Sequence, residues 1–174
     1  EPATTYYSLD GSDPSQSSAI YSEILEITST TTLKFFSVDS LGNQEESIKT
    51  VEIEIDKVKP EVTSSVASGL YNINQSVALS SSKAGEIYYT TNGSNPSTSS
   101  TRYTQEIVIS EGTTLKAISQ DNAGNISEIL EIEIGFDRQA AVTNTSVSTG
   151  IYNSNQSVEL TLRHEEAGVI YYSV

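Results

Sequence analysis

The stretch that decides the fold is GLYNINQSVALSSSKAGEIYYTTNGSNPS, residues 69–97. It holds two short strand-forming runs, 76–80 and 86–91, separated by serines and Lys83-Ala-Gly85. It ends in Asn92-Gly-Ser-Asn-Pro96, where Asn accepts hydrogen bonds from its own turn and Gly93 tolerates positive φ. Working outward, runs of Val, Ile, Tyr and Thr at 61–66, 101–103, 106–110, 113–120 and 126–134 alternate with turn signals every 8–12 residues. That makes seven short strands in about 80 residues, with no sustained helical period. The pattern predicts an all-β chain built on an immunoglobulin-like β-sandwich.

The same words recur along the chain. YYSLDGSDPS from Tyr6 returns as YYTTNGSNPS from Tyr88, and TTLKFFSVDSLGN as TTLKAISQDNAGN, both 82 residues later. GLYNINQSVAL from Gly69 returns as GIYNSNQSVEL from Gly150, and AGEIYY as AGVIYY. A repeat of about 81 residues follows, with one complete copy and two partial ones. The expected division is 1–59, the later two-thirds of a repeat; 60–140, a whole repeat; and 141–174, the opening third of another. What the first piece lacks the last contains, so the expectation is a window on a longer repetitive protein. The junctions Asp56-Lys-Val-Lys-Pro60 and Asp137-Arg-Gln-Ala-Ala141 are short and carry no flexible Gly/Ser tract, which favours a stalk over loosely tethered beads.

Period two assigns the faces. Leu130, Ile132, Ile134 and Phe136 share one side of a strand, as do Val51, Ile53 and Ile55 in the earlier copy, and Leu115 and Ala117 match Leu33 and Phe35. Those are the expected core. Glu131, Glu133, Glu52 and Glu54 point the other way.

These blocks together resemble the chitobiase/β-hexosaminidase C-terminal-type repeat, a bacterial immunoglobulin-like module. GLYNINQSVALSSSKAGEIYYTTNGSNPSTSSTRYT followed by EGTTLKAISQDNAGNISE carries its Gly-x-Tyr opening, V-x-L strand, I-Y-Y-T strand, D-G-S-x-P turn, T-T-L-K strand and D-x-x-G-N turn, with Asn92 in place of the usual Asp. The resemblance implies a sandwich without an active site, found in long bacterial surface proteins and beside secreted glycoside hydrolases.

Composition narrows the chemistry. With 9 Lys+Arg against 23 Asp+Glu the net charge is −14, which repels phosphate backbones and anionic membranes. There is no cysteine to form a disulfide, a zinc site or a thiol nucleophile. No run approaches the roughly 18 apolar residues of a membrane span. The alternating glutamates stand at the roughly 7 Å spacing of acid/base pairs, but a sandwich face offers them no cleft, so they read as a solvated face. Calcium is the cofactor worth testing. Hard oxygen ligands converge in loops and junctions at Asp39, Asp121, Asp56 and Asp137, although turn chemistry explains each without an ion. Tyr88 with Tyr103 is the candidate platform for a cell-surface polysaccharide, against the plainer reading of cross-strand packing. His164, beside Glu165 and Glu166, reads as a solvated loop residue.

The sequence therefore points to a non-catalytic structural array at a bacterial cell surface or outside the cell: a stalk, adhesin or filament subunit. The alternative is an accessory module of a secreted carbohydrate-active enzyme. The expected partners are neighbouring repeats or further copies. Residues near 152–172 are expected to complete the sheet begun at 6–36 of an adjacent copy, unless both pieces belong to one continuous array.

Overall fold

The computed structural model describes residues 2–162 and 168–173. Among them every regular element is a strand. β1 (Ala3–Ser8), β2 (Ala19–Ile20), β3 (Thr31–Asp39) and β4 (Lys49–Ile53) form one antiparallel sheet in the order β2-β1-β3-β4. The next repeat supplies β5 (Val62–Ser64), β6 (Gly69–Tyr71), β7 (Gln75–Val77), β8 (Leu79–Ser81), β9 (Gly85–Thr90), β10 (Thr101–Arg102), β11 (Ile107–Ile109), β12 (Thr113–Asp121) and β13 (Leu130–Phe136). β14 (Thr143–Thr145) and β15 (Leu160–Leu162) make a last ribbon.

The central repeat is a two-layer sandwich. One layer is a five-stranded sheet in the order β10-β9-β12-β13-β6. The other consists of the ribbons β5-β8 and β7-β11. Where the sequence reading expects one strand at 76–80, the chain changes partner at Ala78, pairing with β11 before it and β5 after it. Ser65 fixes that change of partner: its N–H donates to the Ala78 carbonyl at 2.9 Å and its Oγ accepts from the Ala78 N–H at 2.9 Å. The final strand begins at Leu130 rather than 126, and Ile126 makes only an isolated bridge to Gln120. β6 was not legible as a strand, because Gly-Leu-Tyr has no alternation of its own. It exists by parallel pairing with β13.

Alternation fills the core as expected. Val62, Val77 and Leu79 from the ribbons meet Ile87, Leu115, Ala117, Ile132 and Ile134 from the sheet. Tyr89 and Tyr103 pack against this cluster. Ser119 sits among these groups fully buried, and its Oγ has no hydrogen-bond partner among the described residues.

In the first sheet the burial is inverted. Leu33 and Phe35, on the expected core face, are only half-buried, while Phe36 on the opposite face is 1% exposed. The Tyr6 ring stacks on Phe36 at 5.5 Å between centroids. The strand pairing also shifts the match between repeats. Leu33 faces Val51 and Leu115 faces Ile132, so the structural counterpart of Ile132 is Val51, two residues from the partner that VEIEI and LEIEI suggest. A two-residue shift preserves the faces, which is why the face assignment survives it.

Candidate functional site

The junction between the first sheet and the central repeat is the best-built polar site. It forms where the chain leaving β4 meets one end of β9 and β12. Lys83 precedes β9, and its Nζ donates to Asp56 Oδ2 at 2.6 Å, Asp56 Oδ1 at 2.9 Å and Asp121 Oδ2 at 3.3 Å, and also to the Val58 carbonyl. Asp121 ends β12 with its side chain 3% exposed, so its charge depends on these partners. Its Oδ1 accepts from the N–H groups of Ala123 and Asn125 at 3.0 and 2.8 Å. Asn125 Nδ2 donates to Asp121 Oδ2 and to the Asp56 carbonyl, both at 3.0 Å, linking the turn to the junction. Lys59 reaches Glu128 at 2.7 Å across the same boundary.

The electrostatics follow from the contacts. The ammonium of Lys83, ahead of the Val58 N–H, holds the Asp56 carboxyl below its ordinary value. Asn125 does most to lower Asp121, with Lys83 adding to it. Lys83 is pushed up, chiefly by Asp56. The ammonium thus lies between the two carboxylates that a cation would otherwise bridge. The arrangement fastens two segments; it presents no nucleophile.

The other calcium candidates are not brought here. Asp39 caps its own turn, accepting from Leu41 N, Asn43 N and Asn43 Nδ2 at 2.9, 2.8 and 2.7 Å, as Asp121 does in its turn. Asp137 lies past β13, its Oδ1 accepting from Gln139 N at 2.9 Å. Among the described residues no three His, Cys, Asp or Glu side chains cluster as a metal site. Glu131 pairs with Lys116 at 3.2 Å on the solvent face, and Glu52, Glu54 and Glu133 are exposed. Tyr88 and Tyr103 occupy opposite faces: Tyr103 packs on the core, whereas the Tyr88 hydroxyl donates to Glu86 at 2.8 Å. His164, Glu165 and Glu166 lie outside the described residues.

The sequence reading did not single out Lys83. It stands 27 residues from Asp56 and 38 from Asp121, and no local spacing signals that they meet. The one available hint was a lone cation between SSS and AG in a strongly acidic chain.

A two-layer β-sandwich of short strands, with the early strand β6 paired parallel to the last, β13, is an immunoglobulin-like module. A family model for the chitobiase/beta-hexosaminidase C-terminal domain matches residues 1–50 and 66–131, most of the chain, and the chain belongs to that family. Among solved structures, the fibronectin(III)-like modules of Clostridium thermocellum CbhA are similar at 17% identity, covering 76% of this chain and 77% of that one with a TM-score of 0.38. No curated protein matches the chain.

Proposed function

We propose that this chain is a non-catalytic spacer: a tandem array, divided at about 59 and 140, that holds other parts of an extracellular or bacterial surface protein at a set distance. The observation that carries this reading is the Lys83 clamp, which ties the junction residues Asp56 and Val58 to the turn at Asp121 and Asn125. A charge-assisted network of this kind restricts bending more than a single exposed ion pair can. The stalk, adhesin and filament roles all use such stiffness. Family membership supports the second reading, an accessory module of a secreted carbohydrate-active enzyme.

Spin labels at Ser40→Cys and Ser99→Cys, in a chain with no native cysteine, measure the stiffness directly. A narrow distance distribution that broadens in Lys83→Ala supports the spacer. A distribution equally broad in both proteins overturns it. Retention of the chain on an insoluble polysaccharide, with no change on junction mutation, favours the accessory role.

A further inference from the structure

The chain enters the central repeat at one end of its strands and leaves at the other. It enters beside Asp121, the last residue of β12, where Asn125 Nδ2 donates to the Asp56 carbonyl at 3.0 Å. It leaves after Phe136, beyond the pair Thr113↔Ile134 at the first residue of β12. The nine residues of β12 hold those ends about 26 Å apart. Tension between the two junctions is therefore directed along the strands.

Such tension meets strand pairs whose hydrogen bonds run across it. At the entry, β5 runs inward along β8. Just ahead of it the Glu61 N–H donates to Ser82 Oγ at 2.8 Å, and the Glu61 carbonyl accepts from the Ser82 N–H at 2.9 Å. At the exit, β13 lies parallel to β6 through Ile134↔Gly69, Gly135↔Leu70 and Phe136↔Tyr71. Because these two strands are parallel, tension draws β6 by its N-terminus toward the entry and β13 by its C-terminus toward the exit. They can part only by sliding, which strains every bond between them together, whereas peeling breaks bonds in turn. The patch is extended on both sides: Glu133 N–H donates to Ser68 Oγ and Asp137 N–H to the Tyr71 carbonyl, each at 3.0 Å.

Arg138 fastens the chain just past β13. Its Nη2 donates to Asn74 Oδ1 at 2.7 Å and to the Ser110 carbonyl at 2.8 Å, and its guanidinium lies 4.5 Å from the centre of the Phe136 ring. Bonds from a charged donor are the stronger kind. The tie recurs one repeat earlier. Lys57, which follows Asp56 as Arg138 follows Asp137, donates to the carbonyl of Thr28, the counterpart of Ser110, at 2.8 Å. Each junction is thus pinned to the repeat it leaves. We propose that the central repeat is a load-bearing link, which carries tension along the chain in shear through β6 and β13. This goes beyond the spacer reading, because stiffness against bending and strength against tension are separate properties.

Single-molecule force spectroscopy of the full chain tests it, since forced unfolding reports the barrier to unfolding directly. Handles on Val58→Cys and Ala141→Cys, both exposed, pull along the strands. Handles on Thr101→Cys in β10 and Leu70→Cys in β6, the two edges of the five-stranded sheet, pull across them. The axial rupture force is expected to be several-fold the transverse one. Adding Ser68→Ala and Arg138→Ala, both at exposed positions, is expected to lower the axial force while leaving the transverse force and the equilibrium melt of the central repeat nearly unchanged. An axial force no higher than the transverse one, or one that the added substitutions leave unmoved or lower equally in both directions, overturns the proposal. The junction distance distribution plays no part in this measurement, so its outcome is independent of the spacer test.

Discussion

Leu33 and Leu115 occupy the same place in the same word, TTLK, and differ only in what covers them. Leu115 is fully buried between the two layers, with Ala117, Ile132 and Ile134 in the same core. Truncation to alanine there removes buried methyl groups and leaves a void that a close-packed core fills only in part, a cost of about 3 kcal/mol. Leu33 lines an open groove of the first sheet, where water takes the vacated volume. No cavity term applies, and part of the transfer term is already lost to solvent, leaving about 1 kcal/mol. A gap of about 2 kcal/mol corresponds to roughly 8–16 °C in the melting temperature of a domain this small. Calorimetry of Leu33→Ala and Leu115→Ala measures it. Leu115→Ala should lower the transition of the central repeat by that margin more than Leu33→Ala lowers that of the first sheet. Equal losses in the two variants would show that the groove is closed in the isolated molecule and refute the reasoning.

Gly85→Ala should cost more than about 2 kcal/mol in chemical denaturation, because its Cβ would sit 2.0 Å from the Gln120 carbonyl oxygen. Gly124→Ala, with nothing within 4 Å of its Cβ, should cost only the roughly 1–2 kcal/mol of a positive φ; similar values for both would sink the steric account. Ser119→Ala should stabilise the central repeat by about 1 kcal/mol, since it deletes a buried hydroxyl without a partner among the described residues. In the first sheet the counterpart Ser37 Oγ lies 3.0 Å from Thr5 Oγ1, so Ser37→Ala should not stabilise. Asp56 and Asp121 are depressed from an ordinary 3.8, so the clamp is complete above that pH and lost as pH falls through their lower folded values. Lys83 is raised from 10.5, so its contribution holds below that value and fades only at higher pH. The spin-label distribution should be flat between those limits and broaden outside them. Calcium should shift the wild-type melt by less than about 1 °C, because Lys83 already lies between Asp56 and Asp121; a larger shift reversed by chelator would assign an ion to the aspartates.

Strand identity, the facing of Leu115, Ile132 and Ile134, and the turns at Asp39 and Asp121 were legible in the residues, because each depends on neighbours within a few positions. Alternation sets a face, and an aspartate two and four residues ahead of an N–H caps its own turn. The repeat was legible because it is written twice in the same words. Three other features were settled only by the fold. β6 is a strand because β13 is there to pair with it. Lys83 is a clamp because two distant segments, Asp56–Val58 and Asp121, converge on its ammonium. The third is the difference between Leu33 and Leu115: both sit in TTLK and both face inward, yet one is a core residue and the other lines a groove. Periodicity says which way a side chain points, but burial requires a second layer to meet it, and that layer is a property of tertiary contact.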